Sequence, residues 1–344
     1  MVNKTATIQL ELQPYIERPP ITTSQMYSQA CSADTTTIEA WREKWLSNIT
    51  RNSELLGSFV ERGIGKLHNK WLGGTAIVAG SGPSLALNIG MLKDRPKHLK
   101  LISCLHNFHA MEDNDADVDY YVSLDAGPVT IEEVSEGGSR SPEEYWELTR
   151  QRTLLAFIGS DPELLKRWQG EVYLFNAPLP DEGLMGEISQ IQPFHQFVSN
   201  GGTVFGAATY ICKGWLGAST LVFIGADFAF SNREKVKFHY WDSKYDANIG
   251  HTIRVVDIYG NSVKTWGSYW NFKLWFDYIT QVVPGIWINA TEGGCFGAYR
   301  EGNIMSVIQM ELKRVFDMHR MSDKLKYRVD NPTEKLDGKD VILF

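Results

Sequence analysis

Cysteine is scarce in this sequence, and its spacing argues against a metal centre. The 344 residues include four cysteines, and no two of them stand in a C-x-x-C spacing. Structural zinc sites usually draw ligands from such pairs, so we expect no metal site. Cys104 and Cys212 lie in apolar runs that predict a strand and a helix, where buried thiols fit a reducing cytoplasm.

Long hydrophobic runs and excess positive charge are also missing. No apolar run approaches the roughly 20 residues that a membrane span requires. Residues 1–12 lack the apolar segment of a signal peptide. The formal net charge of −7 argues against nucleic-acid binding through phosphate contacts. We therefore expect a soluble, cytoplasmic protein with neither a membrane span nor a nucleic-acid partner.

What the sequence does have is a glycine turn after a short apolar run. Residues 76–79 predict a buried strand, and the turn that follows consists of Gly80, Ser81, Gly82, Pro83 and Ser84. A helix starting here would point backbone N–H groups at an anion, and the glycines would permit close approach to a ligand or positive φ. Pro83 suits a first helical turn, and either serine can cap the helix or bond a phosphate oxygen. The turn is neither a P-loop nor G-x-G-x-x-G, so nucleotide binding and an ordinary strand-to-helix turn both stay open.

Short apolar runs alternate with helical periodicity along most of the chain, which predicts an α/β fold. With 43% hydrophobic and 22% charged residues, the chain can bury a full core. The alternation is typical of a Rossmann-like, mostly parallel sheet with helices on both faces. Helices are predicted near residues 203–216, 270–279 and 303–325. The predicted strands are 76–79, 99–104, 120–124, 153–157, 172–175, 220–224 and 285–288.

Three regions are predicted along the chain. Residues 1–72 form an N-terminal arm and helical extension, loose up to residue 36, which packs on the main domain or on a second copy of the chain. Residues 73–300 form the Rossmann-like domain. Within it, residues of about 228–268 are polar and aromatic, which indicates a lid or a hairpin insert. Residues 301–344 form a C-terminal helix and tail.

Polar residues follow several predicted strands, at the edge where parallel sheets bind ligands. Asn107, Asp125 and Asp227 each come shortly after such a strand. Asp227 could bond a ribose hydroxyl, hold a metal ion or cap a neighbouring turn. Asp125 could do the same or form an Asx turn before its Gly-Pro.

A second glycine turn and a closing polar segment add further candidates. Gly201 and Gly202 precede a predicted helix, which Asn200 or Thr203 could cap and whose amides could face an anion. After the last strand come three residues that could bond ligand hydroxyls, although the glutamate could instead accept backbone N–H groups: Asn289, Thr291 and Glu292.

Histidines supply the candidates for proton transfer. His239, in the aromatic insert, could act as a general base near neutral pH if it reaches an acceptor hydroxyl, or it could be a surface group. His251 is its competitor, His106 and His109 are weaker candidates, and we expect His109 to face solvent. A leaving phosphate could be neutralised by Tyr240, Arg254 or Lys264.

Six of these segments follow one another in a specific order. They are Gly-Ser-Gly-Pro-Ser-Leu at 80–85, Ser-Leu-Asp at 123–125, Gly-Gly-Thr-Val at 201–204, Ile-Gly-Ala-Asp-Phe-Ala-Phe-Ser at 224–231, Tyr-Gly-Asn-Ser-Val-Lys-Thr at 259–265 and Ile-Asn-Ala-Thr-Glu-Gly-Gly at 288–294. This order resembles the motility accessory factor family of flagellin glycosyltransferases over roughly residues 50–300. That family shares its central domain with 6-hydroxymethylpterin diphosphokinase-like proteins. The chain is also distantly similar to bacterial sialyltransferases with a Gly-x-Gly-Pro-Ser turn.

The resemblance implies a transferase that takes a nonulosonic, sialic-acid-like sugar from a CMP-activated donor without a further cofactor. It implies that residues 80–84 lie against the nucleotide and that Asp125 and Asp227 bound the donor pocket. It matches His239 to the histidine that follows the Asp-Leu-Ala-Phe-type motif, and the closing segment to the family's closing motif. The acceptor would be a hydroxyl of flagellin, of another protein, of a glycan or of a small molecule.

Three functions therefore stay open. The first is inverting sugar transfer, in which His239 takes the acceptor proton and Tyr240 or Arg254 stabilises the departing phosphate. The second is pyrophosphoryl transfer from ATP to a hydroxymethylpterin, which needs Mg²⁺ and points to Asp125 and Asp227 as its ligands. The third is a nucleotide-binding or assembly protein that has the scaffold without catalysis.

Overall fold

The computed structural model describes residues 23–230, 252–298 and 307–330. Its centre is a sheet of eight strands in the order β10-β9-β6-β1-β2-β3-β4-β5, and all paired neighbours are parallel. The strands of this sheet are β1 (Thr75–Ala79), β2 (Lys100–Cys104), β3 (Tyr120–Ser123), β4 (Leu154–Phe157), β5 (Val172–Phe175), β6 (Thr220–Ile224), β9 (Ile286–Asn289) and β10 (Ile308–Gln309). The other two, β7 (Thr252–Val256) and β8 (Ser262–Trp266), form an antiparallel hairpin. The predicted α/β, Rossmann-like fold is confirmed.

Helices connect the strands. They are α1 (Thr23–Leu56), α2 (Leu85–Asn88), α3 (Phe108–Asp113), α4 (Val129–Ser135), α5 (Pro142–Leu148), α6 (Pro162–Arg167), α7 (Glu182–Ile191), α8 (Val204–Tyr210), α9 (Gly267–Val282) and α10 (Leu312–Asp330). Several start at polar N-caps, since Asp161, Asp181 and Thr203 each accept a backbone N–H of the first turn. None of the helices in these described ranges has the length and apolar character to span a bilayer.

The strands form where the sequence has short apolar runs, because a parallel sheet covered on both faces buries most side chains of its central strands. In β1 the residues Ala76, Ile77, Val78 and Ala79 are all fully buried. The seven predicted strands each lie within about a residue of an observed one. The two-residue strand β10 was not predicted, because so short an edge strand carries no pattern of its own.

The order of strands reverses its direction at β1, which places a crevice there. From β1 the chain adds β2, β3, β4 and β5 on one side, and then β6, β9 and β10 on the other. The connection after β1 therefore leads to one side of the sheet, and the connection after β6 leads to the other side. The carboxyl ends of these two strands lie side by side. Such a switch point is where open parallel sheets bind ligands.

Two predictions about the chain ends are wrong. A loose arm was expected up to residue 36, which is wrong for residues 23–36, because α1 begins at Thr23 and no glycine or proline interrupts the chain from there to Leu56; residues 1–22 lie outside the described residues. The helix stops before Gly57, whose φ of +71° suits a left-handed terminus. The last helix was expected over 303–325 but runs from Leu312, because residues 308–309 pair with β9 instead.

Helix α1 docks across the carboxyl edge of the sheet through two buried asparagines one turn apart. Asn48 Nδ2 donates to the carbonyls of Ala126 and Gly159, at 2.9 and 3.0 Å. Asn52 Nδ2 donates to the carbonyls of Ile158 and Ser160, both at 2.9 Å. The extension therefore packs on the main domain, over the loops that follow β3 and β4, which is the first of the two predicted alternatives.

Candidate functional site

The first glycine turn crosses the turn that follows β6, backbone against backbone. The Gly80 N–H donates to the Ile224 carbonyl at 2.9 Å, and the Gly82 N–H donates to the Gly225 carbonyl at 2.8 Å. A Cβ on Gly80 would lie 2.6 Å from the Gly225 oxygen, and one on Gly225 would lie 2.4 Å from the Gly80 oxygen. Neither Gly80 nor Gly82 has positive φ. The glycines are therefore required by the contact between two turns, a reason that the sequence alone did not reveal.

Asp227 lies beneath the first turn and is 3% exposed. Both of its carboxylate oxygens accept the Ser84 N–H at 3.2 Å. The expectation of a helix N-terminus open to an anion needs correction here, because a carboxylate of the chain already meets this amide. Helix α2 is also only four residues long, so its macrodipole is small. The Ser84 side chain makes no cap bond, and Pro83 precedes the helix rather than entering its first turn.

Replacement of Gly82 by alanine is expected to destabilise the protein. The new Cβ would lie 2.1 Å from Asp227 Oδ2 and 2.6 Å from the Gly225 oxygen. We expect a loss of about 1–3 kcal/mol in the free energy of unfolding, since backbone must move. Gly90→Ala is the matched control, because nothing lies within 4 Å of its Cβ. That change is expected to be neutral or to stabilise by up to about 1 kcal/mol. Urea titration measures both, and equal stabilities would contradict the crossing contact.

Asn107 holds the end of β1 from the side of β2. Its Nδ2 donates to the Gly80 carbonyl at 3.1 Å and to Ser103 Oγ at 3.2 Å, and the residue is fully buried. The structure thus brings Asn107 to the first turn, as the sequence-based prediction of a shared site requires. Its contacts show a side chain that sets the position of the turn.

The second glycine turn lies under α9. A Cβ on Gly201 would meet the Trp275 ring at 2.4 Å, and one on Gly202 would meet Phe272 at 2.6 Å. Thr203 Oγ1 accepts the Gly206 N–H at 2.8 Å, so threonine rather than asparagine caps α8. The cap interpretation is confirmed for Thr203.

The closing segment ties several elements of this edge together. Thr291 Oγ1 accepts the Ala226 N–H at 3.0 Å, and Asn289 Nδ2 donates to the Phe296 carbonyl at 3.0 Å. Glu292 has a φ of +59°, and its Oε1 accepts from Asn88 Nδ2 at 2.9 Å and from the Leu312 N–H at 3.1 Å. Glu292 therefore caps α10 and fastens it to α2, which is the locking role considered from the sequence. That Asn289, Thr291 and Glu292 contact a ligand stays a prediction.

A polar pocket lies further along the same edge, after β2 and β3. It opens to solvent, has room for about one water molecule and is lined by Leu105, His106, Val122, Ser123, Leu124, Asp125, Glu133 and Val204. His106 Nδ1 and Glu133 Oε1 are 2.9 Å apart. The sequence analysis singled out Asp125 but missed Glu133, because a glutamate at a polar position of a short helix has no feature that distinguishes it from a surface residue.

Burial changes the charge states in this pocket. Burial raises the pKa of Glu133 to about 8, and the nearby Glu132 contributes in the same direction. Loss of hydration raises the pKa of Asp125 to about 6, even though Asp125 is an exposed residue. At neutral pH, Glu133 therefore keeps its proton while Asp125 is mostly ionised.

Two expectations about individual side chains have different outcomes. His109 was expected to face solvent, but it is 2% exposed on α3, because this face of the short helix packs against Tyr145. Burial lowers its pKa. Cys104 and Cys212 are buried as predicted, and burial raises the pKa of both thiols.

The predicted proton-transfer residues lie mostly outside the described residues. His239, Tyr240 and His251 belong to the segment 231–251, so their roles stay predictions. Arg254 and Lys264 face each other across the β7–β8 hairpin, which confirms a hairpin in the insert. The hairpin approaches the carboxyl edge, since the Ile258 N–H donates to the Gly294 carbonyl at 2.9 Å.

The two aspartates that would share a magnesium ion do not lie together. Asp125 follows β3 and Asp227 follows β6, and β2 and β1 separate these strands. Three strand spacings of about 4.8 Å put the strand ends about 14 Å apart. Among the described residues, no three His, Cys, Asp or Glu side chains converge on a metal position. These two carboxylates therefore do not fit a single shared Mg²⁺.

Residues 46–233 match a protein-family model described as 6-hydroxymethylpterin diphosphokinase MptE-like. The match covers more than half of the chain. The chain belongs to this MptE-like family. The matched part of this MptE-like chain contains the crossed turns and the polar pocket. A comparison with curated proteins finds no match.

Among solved structures, this MptE-like chain is similar to the Maf glycosyltransferase from Magnetospirillum magneticum AMB-1, with a TM-score of 0.54 and 16% sequence identity. The similarity covers 84% of this chain and 42% of that one, so the chain spans less than half the length of that structure. The likeness confirms the fold that the motif order implied.

Proposed function

We propose that this MptE-like protein is a glycosyltransferase that moves a nonulosonic sugar from a CMP-activated donor to a hydroxyl acceptor with inversion. The observation that carries the proposal is the position of the crossed turns, at the switch point of a sheet similar to that of a protein named as a glycosyltransferase. A protein or glycan hydroxyl, with flagellin one possibility, is the proposed acceptor, and a homo-oligomer is compatible with it.

The buried carboxylate of Asp227 constrains how a donor would bind. Because Asp227 accepts the Ser84 N–H, the donor phosphate would meet the partly exposed Ser81 rather than that amide. Asp227 itself would position the turn, together with Asn107 on its other side. In this proposal His239 takes the acceptor proton, and Tyr240 or Arg254 stabilises the leaving phosphate.

Diphosphokinase chemistry is the second candidate, and the description of the matched family as 6-hydroxymethylpterin diphosphokinase MptE-like favours it. It would use Mg-ATP as the pyrophosphoryl donor. The separation of Asp125 from Asp227 argues against the ligand pair expected from the sequence. We therefore rank it below sugar transfer.

Thermal-shift measurements with CMP, UDP, GDP and ATP, each with and without Mg²⁺, separate these functions. A ligand at 100 times its Kd stabilises the folded state by about 2.7 kcal/mol, so binding raises the melting temperature measurably. We expect CMP to stabilise the protein without Mg²⁺. Stabilisation by Mg-ATP alone would overturn sugar transfer in favour of diphosphokinase chemistry. No response to any nucleotide would instead favour an assembly protein.

A further inference from the structure

The polar pocket after β2 and β3 is lined by a buried serine whose hydroxyl has no hydrogen-bond partner among the described residues. This serine is Ser123, which is 2% exposed. A buried polar atom without a partner costs free energy, so such an atom at the wall of an open pocket indicates a ligand group or water that completes it.

The pocket offers both kinds of hydrogen-bonding partner within a small volume. Asp125 supplies a carboxylate that accepts, Ser123 supplies a hydroxyl that donates or accepts, and His106 lies beside them with its Nδ1 on Glu133. The eight lining residues include neither lysine nor arginine, so the pocket does not select a phosphate. With room for about one water molecule, it excludes a base or a sugar ring.

The position of the pocket matches one end of a nucleotide-sized ligand. Asp125 follows β3, and the first glycine turn follows β1 two strands away. Two strand spacings amount to about 10 Å, which a nucleotide or nucleotide sugar spans. The pocket can therefore meet one hydroxyl of a ligand whose phosphate lies at the first turn.

We propose that Asp125, Ser123 and the His106–Glu133 pair form a subsite for a single ligand hydroxyl, in which the Asp125 carboxylate accepts the hydrogen bond of that hydroxyl. The proposal rests on the proposed function insofar as the ligand is a nucleotide sugar. With its proton, Glu133 adds no charge of its own, so the negative charge of the carboxyls in the pocket is that of Asp125. That charge attracts a hydroxyl donor and repels a phosphate.

Two elements beside the pocket bring no titratable group. Helix α8 contributes the apolar Val204, and α1 contributes Asn48, which donates to the Ala126 carbonyl in the loop after β3. The titratable neighbours are Cys104 from β2 with His106 after it, His109 from α3, and Glu132 and Glu133 from α4. Cys104 is fully buried with a raised pKa, His109 has a lowered one, and Glu133 has a pKa of about 8, so between these carboxyls the one that loses its charge as the pH falls through about 6 is Asp125.

Calorimetric titration with hydroxyl-deleted probes tests the subsite. The probes are CMP, its 2′-deoxy and 3′-deoxy forms, and CMP-N-acetylneuraminic acid. Loss of a hydrogen bond to a charged group costs about 10- to 100-fold in affinity, so Asp125→Asn is expected to weaken the probe that carries the hydroxyl by that factor. The probe that lacks the hydroxyl should bind equally well to both proteins. If Asp125→Asn affects CMP but not one of its deoxy forms, the hydroxyl belongs to the ribose. If it affects CMP-N-acetylneuraminic acid but not CMP, the hydroxyl belongs to the transferred sugar.

A control variant and a pH series separate the charge of Asp125 from general disruption. The exposed control Glu132→Gln is expected to bind every probe within about 3-fold of the wild type. The ratio of wild-type affinities for the hydroxyl and deoxy probes should fall as the pH drops through about 6, whereas Asp125→Asn should keep a constant ratio, because the phosphate shared by the probes titrates alike in both. If Asp125→Asn affected all probes alike or none, the subsite would be overturned.

The same titration keeps the two proposals apart. If ATP binds and CMP does not, sugar transfer is overturned, and the subsite is read from ATP and its deoxy forms with the same variants. If a nucleotide binds but the hydroxyl makes no difference, only the subsite falls. If no nucleotide binds, both proposals fall.

Discussion

Arg152→Ala is expected to destabilise this protein more than any other single change proposed here. The guanidinium forms two hydrogen bonds with Glu112, from Nε to Oε1 at 2.7 Å and from Nη2 to Oε2 at 2.9 Å. Tyr121 donates to the same carboxylate at 2.8 Å, and the Glu112 side chain is 4% exposed. Removal of the arginine leaves a buried carboxylate without its counter-ion, which costs about 3–5 kcal/mol in the free energy of unfolding.

Arg150→Ala is the matched control for this change. Arg150 lies two residues earlier, its side chain is 65% exposed, and its contacts with Glu147 and Gln169 are on the surface. We expect its loss to change stability by less than about 0.5 kcal/mol. Urea titrations of both variants measure the difference. A double variant, Arg152→Met with Glu112→Gln, should recover part of the loss, and similar stabilities for Arg150→Ala and Arg152→Ala would refute a buried ion pair.

His239→Ala is expected to have the largest effect on activity. A positioned general base contributes about 10²- to 10⁴-fold to the rate, so turnover should fall by that factor while the folded state and CMP binding persist. The measurement is CMP release from CMP-N-acetylneuraminic acid in the presence of an acceptor that supports turnover. Thermal shift with CMP reports whether the donor still binds.

His251→Ala serves as the control, because it removes the other histidine of the same polar, aromatic insert. We expect near-normal turnover from it. Full turnover by His239→Ala would show that the assigned base is wrong, and a loss confined to His251→Ala would transfer the role to that residue. Both changes keep the residues of the crossed turns and of the hydroxyl subsite, and the thermal shift with CMP separates their effect on chemistry from an effect on binding.

Much of the fold could be predicted from local patterns. The apolar runs around Ile77, Val122 and Val222 are fully buried strands, because a covered parallel sheet demands apolar residues on both faces. The hairpin β7–β8 was likewise one of the two alternatives predicted for the polar, aromatic insert. Helix α1 was harder, since its first residues are rich in serine and threonine and show no apolar stripe.

The candidate site was predictable in position but not in its internal contacts. Asp125 and Asp227 were singled out because polar residues follow strands, and both lie at the carboxyl edge. The bond between Asp227 and the Ser84 N–H joins residues 143 positions apart, which no local pattern reports. His109 was assigned to solvent because a histidine on a short helix resembles a surface residue, and only the packing of α3 buries it.

By itself, the sequence determined that this chain folds as an α/β sheet with a glycine turn after its first strand, because periodicity and glycine placement act over a few residues. The order of its motifs also indicated the family. Only the tertiary structure decided what the glycines accommodate, because the crossing of two turns depends on strands that are adjacent in space and distant in the chain. It also decided the pairing of His106 with Glu133, since burial and neighbouring charge set a carboxyl's proton.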